Sequence, residues 1–482
     1  MNNKLKNKIN EVQSEAPKSE TFENLHGTPV TRRDFLSTGL IGFSGSLVLP
    51  SFLTILGRSG YAQAEDIICK TTGGGDMCPF ISIKLSGGAA MAANFLPLDQ
   101  GLQLLPSYSK MGMGLGSTVP VDYEFANRAP FYAASGMLAG IRANASAKTL
   151  LNSNFIGTCV RSQDDSSGNK FDITGLVANS GLSGKILPNL GRAATETGVN
   201  NSFAYVRPPA PLIVGRYEDV VGSLGVSGSL AALSQNQKSK LFRTIQSLSS
   251  TQAVAVQSMT GGNLLARLLG CANADNTNLI ANSSSLNIDP LSNAAFAAVW
   301  GLNANTNKSS QDFVFATMVY NALNGNASTI NLEMGGFDYH NGTRTSGDAK
   351  DLEAGNVIGR VLQSLSVMGK KGFIVVTSDG SVTSADSTVA GSPWMSDRGT
   401  AGSAYMITYD PASAHKVKSS QLGNFTSGQV ADDTFLTGGS SEIASGAIFV
   451  NYLSFNGKLA LVENYLPRVF TSTEVDLITK IG

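Results

Sequence analysis

Apolar and polar positions divide the chain into three regimes. The first 30 residues are polar, rich in Lys, Asn, Glu and Ser, and this composition predicts a disordered leader. A moderately apolar run of 21 residues follows from Leu36 to Leu56, interrupted by Gly39, Gly42, Gly45 and Pro50. Beyond it the pattern is that of a folded chain. Phe80-Ile-Ser-Ile-Lys-Leu85 alternates apolar and polar positions and meets Gly87-Gly88, which predicts a strand running into a tight turn. Residues 100 to 225 read as loop-rich with short elements. From Ser227 to about residue 270, Leu230, Leu233, Leu241, Ile245 and Leu248 recur at near-helical spacing and predict a helical insert.

The C-terminal third is the most orderly. Ser309-Ser310 can cap a helix carrying Phe313, Thr317, Tyr320 and Leu323 on one stripe. Thr329 to Met334 reads as a strand ending at Gly335-Gly336. A helix follows with Leu352, Ile358, Val361, Leu362, Leu365 and Met368 on one face. Phe373-Ile-Val-Val376 is a continuous apolar run, as expected for a parallel strand buried on both sides, and Ala404 to Thr408 reads as one more strand. Strand, helix, strand with polar residues at the strand ends is βαβ logic, and ligands sit at those carboxyl ends.

The interrupted apolar run changes meaning once its flanks are read. Thr31-Arg32-Arg33-Asp34-Phe35-Leu36 precedes it, and Ala62-Gln63-Ala64 follows as a small-x-small cleavage site. Together the three parts resemble a twin-arginine (Tat) export signal, with Arg32 and Arg33 read by the translocase and Ala62 and Ala64 by signal peptidase. A retained membrane anchor is the alternative for a run of this length. Its Ser, Gly and Pro content and the cleavage site favour removal. The expected organisation is therefore a polar leader over 1–30, a signal peptide over 31–64 and one α/β domain over 65–482, bound for the periplasm or the cell surface. No other stretch approaches 18 uninterrupted apolar residues, so the mature chain is not expected to span a membrane.

Charge narrows the function classes. Lys and Arg balance Asp and Glu at 35 each, which offers no field for nucleic acid or for an anionic membrane. The four cysteines, Cys69, Cys78, Cys159 and Cys271, all lie beyond the cleavage site. The most local pairing is Cys69 with Cys78, leaving Cys159 with Cys271; free buried thiols are the alternative. No CxxC, nucleophile-elbow or P-loop pattern occurs.

Four places in the chain are similar to a known family. They are the twin-arginine leader, Leu85-Ser-Gly-Gly-Ala-Ala-Met-Ala-Ala-Asn-Phe-Leu-Pro97, Gly335-Gly-Phe-Asp-Tyr-His340 and Val375-Val-Thr-Ser-Asp379. The chain thereby resembles the Tat-exported proteins catalogued as domain of unknown function 1501, related to the alkaline phosphatase and sulfatase fold. The resemblance implies an alkaline phosphatase-like α/β fold, with a mostly parallel central sheet flanked by helices. It also implies metal-ligating Asp and His at successive strand ends, serving phosphate or sulfate ester hydrolysis.

Against that scheme the chain is depleted. Ala89-Ala90 stand where relatives carry an acid after the Gly-Gly turn, and Met91-Ala92-Ala93-Asn94 offers only an amide in place of a nucleophile. Of three histidines, His26 lies in the leader and His415 in a loop with no sequence-adjacent acid, which leaves His340 as the candidate imidazole ligand. A His-rich dinuclear zinc site is excluded on inventory. What remains is one oxygen-rich site from Asp338, His340, Asp379 and Asp397, suited to Mg²⁺, Ca²⁺ or Mn²⁺. Each has a plainer structural role available, as a turn, helix-cap or backbone hydrogen-bonding residue. The leading expectation is an exported, non-catalytic protein with a binding or envelope role. The alternative is a metal-dependent hydrolase with a mononuclear site.

Overall fold

The computed structural model describes residues 78–101, 119–160, 187–192, 212–223, 287–337, 344–378, 402–426 and 431–482, with isolated positions and short pieces between 103 and 113, 173 and 177, and 234 and 254, and at 383–384 and 394–395. Its strands are β1 (Phe80–Leu85), β2 (Val121–Asp122), β3 (Phe131–Tyr132), β4 (Ser153–Val160), β5 (Leu187–Gly191), β6 (Leu212–Ile213), β7 (Ala327–Met334), β8 (Gly372–Ser378), β9 (Thr383–Ser384), β10 (Trp394–Met395), β11 (Gly402–Tyr409) and β12 (Gln421–Leu422). Its helices are α1 (Gly136–Asn144), α2 (Ala147–Leu151), α3 (Tyr217–Ser223), α4 (Ala294–Val299), α5 (Gln311–Leu323), α6 (Arg344–Val367), α7 (Ser441–Phe455), α8 (Val462–Tyr465) and α9 (Ser472–Ile478). Among the described residues no helix is long and apolar enough to cross a membrane.

Eight strands form one sheet in the order β12-β4-β11-β8-β1-β7-β5-β6. The pairings are parallel except those of β11, which runs against β4 on one side and β8 on the other. The protein is therefore α/β with a mostly parallel central sheet. Helices cover both faces, the arrangement a parallel sheet requires because neither face can be left to water. Ile81, Ile83 and Leu85 of β1 pack with α1, α4, α5 and α6. Phe80, Phe373 and Val375 pack on the other side with α7 and α9.

This burial changes the reading of the first strand. Phe80–Leu85 forms the expected strand, and although its residues alternate apolar and polar, all six are buried, Ser82 and Lys84 included. Ser82 and Lys84 point to the same face as Phe80, which α7 and α9 cover, so the polar side of β1 faces protein too. A similar revision applies to α5. The Ser310 hydroxyl caps it as expected, accepting from the Phe313 N–H, but Phe313 to Leu323 are all buried rather than one stripe of them. The described positions from 236 to 254 are helical, as the insert predicted. α1, β4 and α7 were not foreseen as distinct elements; α1 and β4 fall in the stretch that reads as loop-rich.

The contact that fixes the site is the crossing of α1 on α6. Gly136 and Gly140 on α1 meet Gly355 and Gly359 on α6. A β-carbon at Gly140 would stand 2.5 Å from the Leu352 carbonyl oxygen, and one at Gly355 would run into the Met137 carbonyl. Only hydrogens separate the two backbones there, so the helices cannot slide apart or rotate without losing the fit. The expected apolar face of α6 holds at Ile358, Val361, Leu362 and Leu365, which are buried, and at Met368, which packs against the core just past the helix end; it fails only at Leu352, which is 42% exposed while Asp351 beside it is 1% exposed.

Candidate functional site

β7, β1 and β8 lie side by side and in register, with Leu85 level with Met334 on one flank and with Ser378 on the other. Their carboxyl ends therefore emerge together at the centre of the sheet. Neighbouring strands are about 4.8 Å apart, so the ends of β7 and β8 are separated by roughly 10 Å. The described parts of the three sequence motifs at these strands, Leu85–Pro97, Gly335–Phe337 and Val375–Ser378, are thus gathered at one rim.

Two Gly-Gly turns are laced together there. The Ser86 N–H donates to the Met334 carbonyl (2.9 Å), and the Phe337 N–H donates to the Ser86 carbonyl (3.1 Å). Gly87 and Gly88 take φ of 115° and 101°, a backbone that a side chain would strain. From this turn the chain enters the loop Ala89–Asn94, whose middle is a short 3-10 turn over Met91–Ala93.

Side chains from four elements hold that loop. The Ser378 hydroxyl accepts from the Ala89 N–H (2.8 Å) and donates to the Leu85 carbonyl (2.9 Å). The Tyr405 hydroxyl donates to the Met91 carbonyl. Asn94 donates from Nδ2 to the Ala90 carbonyl (3.1 Å) and to Asp351 Oδ2 (2.9 Å), and accepts at Oδ1 from the Ser135 hydroxyl (2.6 Å). Ser135 in turn caps α1, accepting from the Leu138 N–H. Asp351 is enclosed by protein, and its Oδ1 has no hydrogen-bond partner. Burial pushes its carboxyl up to about 8, against the opposing bond from Asn94 and with a further push from nearby Asp348. At the outer edge of the rim the Ser86 hydroxyl donates to Glu333 Oε1 (3.1 Å).

The candidate ligands Asp338, His340, Asp379 and Asp397 lie outside the described residues, as do Arg32, Arg33, Ala62, Ala64, Cys69 and Cys271. The chain reaches Asp338 directly after Phe337 and Asp379 directly after Ser378, so two of the four follow strands that flank β1. Among the described residues no group of three or more His, Cys, Asp or Glu gathers as a metal centre. Cys78 and Cys159 are buried and form no disulfide among the described residues, which do not include their expected partners Cys69 and Cys271. Burial raises both, Cys78 to about 12, while the Cys159 thiol donates to the Asn424 carbonyl.

His415 requires a correction. It has an acid partner after all, five residues back in sequence: Asp410 Oδ2 lies 3.0 Å from His415 Nε2, and Lys371 Nζ lies 3.0 Å from the same nitrogen. Lys371 also donates to the Phe455 carbonyl and sits over the Phe455 ring. Tyr409, just before Asp410, is level with the first residues of β4 and β8, so this cluster occupies the opposite edge of the sheet. It joins α7 to the strand starts and takes no part in the rim.

Asn94, Ser135 and Asp351 were missed as site residues. A signal for Asp351 existed in its spacing. It precedes Gly355, Ile358, Leu362 and Leu365 at steps of four and three, which places an acid on the inward stripe of α6.

No family model matches the chain, and no curated protein and no solved structure is significantly similar to it.

Proposed function

We propose that this is an exported protein that keeps an alkaline phosphatase-like α/β scaffold for binding or envelope assembly, not for ester hydrolysis. A mostly parallel sheet with the Gly-Gly turns of β1 and β7 meeting at its carboxyl rim supports the scaffold. The non-catalytic reading rests on one observation. The polar groups of the loop after the first turn are engaged in holding the backbone, and Ala89 and Ala90 are buried where the related hydrolases place reactive groups. A Ser378 hydroxyl that already donates to one carbonyl and accepts from one amide has no proton to give to a base without undoing the loop.

The described rim does not by itself fit a divalent metal. It offers Glu333, which is hydrogen-bonded to Ser86, the Lys350 side chain beside Gly336, and otherwise neutral groups. A metal, if used, would depend on Asp338, His340, Asp379 and Asp397, and no step of the proposal passes through it. The twin-arginine pair and Ala62-Gln63-Ala64 support passage through the Tat translocase and cleavage by signal peptidase.

The purified chain, assayed with 4-nitrophenyl phosphate and 4-nitrophenyl sulfate in Mg²⁺, Ca²⁺ or Mn²⁺, is expected to show no turnover above the blank. Turnover that disappears in Asp338→Ala, together with about one bound divalent ion per chain, would replace this reading with the mononuclear hydrolase. Changing Arg32 and Arg33 together to Lys should hold the chain in the cytoplasm; continued export would remove the Tat route.

A further inference from the structure

Asp351 is a carboxyl group set where a carboxylate cannot be sustained. It is buried, one oxygen accepts a single hydrogen bond from Asn94, the other accepts none, and among the described residues no cation pairs with it. A buried anion needs several donors or a counter-charge to offset its lost hydration. The groups facing it supply neither. Asp348 on the same helix is a like charge, Tyr405 comes from β11, Asn94 from the loop, and Ser135 leads into α1. The Tyr405 phenol, itself raised well above its ordinary value by burial and then by Asp351, stays neutral over the range in which Asp351 titrates.

The neighbours of Asp351 differ in how far they can yield. On the helix side, α6 is pressed backbone to backbone on α1 through Gly136, Gly140, Gly355 and Gly359. On the loop side stands a three-residue 3-10 turn, with Asn94 as its link to both helices.

We propose that Asp351 is a proton-operated latch on the loop 86–94: the neutral carboxyl holds the loop against α6 and the start of α1, and loss of its proton releases the loop. The proton leaves to solvent and leaves a carboxylate whose hydration the single Asn94 donor does not replace; water must reach it, and the loop is the side that yields because the helix pair cannot. The latch makes the rim between the two Gly-Gly turns sensitive to alkaline conditions, and it stands whether or not the rim binds a ligand.

Hydrogen–deuterium exchange on the full chain tests this at about pH 6 and about pH 9.5, with rates corrected for the intrinsic effect of pH. Peptides covering 86–96 should lose protection by about tenfold or more at the higher pH in the wild type, while peptides from β8 and α7 do not. Asp351→Asn keeps the acceptor for Asn94 and cannot ionise, so it should hold the loop protected at both values. Equal loop protection at the two pH values in the wild type, or the same loss in Asp351→Asn, overturns the latch. Carbon-13 NMR of wild-type chain labelled at aspartate gives a reading without any variant. One side-chain carboxyl should titrate near pH 8, and titration of every aspartate below about pH 5 overturns the proposal.

Discussion

Asp351 and Asp410 sit at opposite edges of the same sheet, and their surroundings push them in opposite directions. Asp351, at the carboxyl edge, has one amide donor and, among the described residues, no cation, and burial raises it to about 8. At the other edge, burial also works against the charge of Asp410. There the Ala412 N–H, His415 and Lys371 outweigh it and hold that carboxyl below its usual range. What separates them is the inventory of partners more than depth alone. The carboxyl edge is held mainly by hydrogen bonds around the loop Ala89–Asn94, while the far edge is held by charge. Acidification should therefore strengthen one edge and weaken the other.

The largest effect should come from breaking the helix contact that keeps Asp351 in place. Gly355→Val forces a branched side chain into the Met137 carbonyl, which is backbone and cannot rotate away. Overpacking of this kind should cost about 3 kcal/mol or more. Urea unfolding should show a lower midpoint, and the pH dependence assigned to Asp351 should shrink because the carboxyl gains water. A midpoint like that of wild type would mean that the α1–α6 contact is not the constraint claimed for it.

Next in size is the pH profile itself. The folded state holds a proton on Asp351 up to about pH 8, whereas an unfolded aspartate releases it near pH 3.9. Between these values the native chain binds more protons than the unfolded chain, so this group's contribution falls as pH rises through the interval. Thermal midpoints should decline from about pH 5 to about pH 9 in the wild type. Asp351→Asn should flatten that decline, matching wild type near the acid end and exceeding it near the alkaline end. A variant that tracks wild type at every pH would place the titrating group elsewhere.

How much of this was legible depended on whether pattern or contact decided the element. β7, α6 and β8 could be read because their apolar runs and glycine stops are local, and the three motif-bearing strand ends do converge. β4 and α1 could not. α1 is Gly-Met-Leu-Ala-Gly-Ile-Arg-Ala-Asn, whose glycines read as loop until α6 is present to press against them. Lys84 reads as a polar position of an alternating strand until the elements covering the Phe80 face of the sheet are in place. At the rim the sequence pointed to the missing acid at Ala89-Ala90. The tie that holds the loop there joins Asn94 to Asp351, 257 residues apart, and no local pattern encodes such a pair. The His415–Asp410 contact was overlooked for a smaller reason, an acid five positions away brought back by the turn at Pro411–Ala412.

The smallest effect should be at the amino edge, with the opposite sign. Asp410 is ionised in the folded chain at lower pH than in the unfolded chain, so its contribution is present above about pH 4 and is lost as pH falls through its depressed folded value. Asp410→Asn removes the counter-charge from Lys371 and His415 but leaves an oxygen that can still accept from Ala412. The loss at neutral pH should therefore be about 1 kcal/mol, in the range of one partly exposed charged hydrogen bond. Measured by urea unfolding, the gap between wild type and variant should narrow as pH falls below about 4 and through the depressed folded value of Asp410, where Asp351 is neutral and its own contribution is at its most favourable. A gap that persists unchanged in acid would show that Asp410 acts through packing and not through its charge, and the contrast between the two edges would then rest on Asp351 alone.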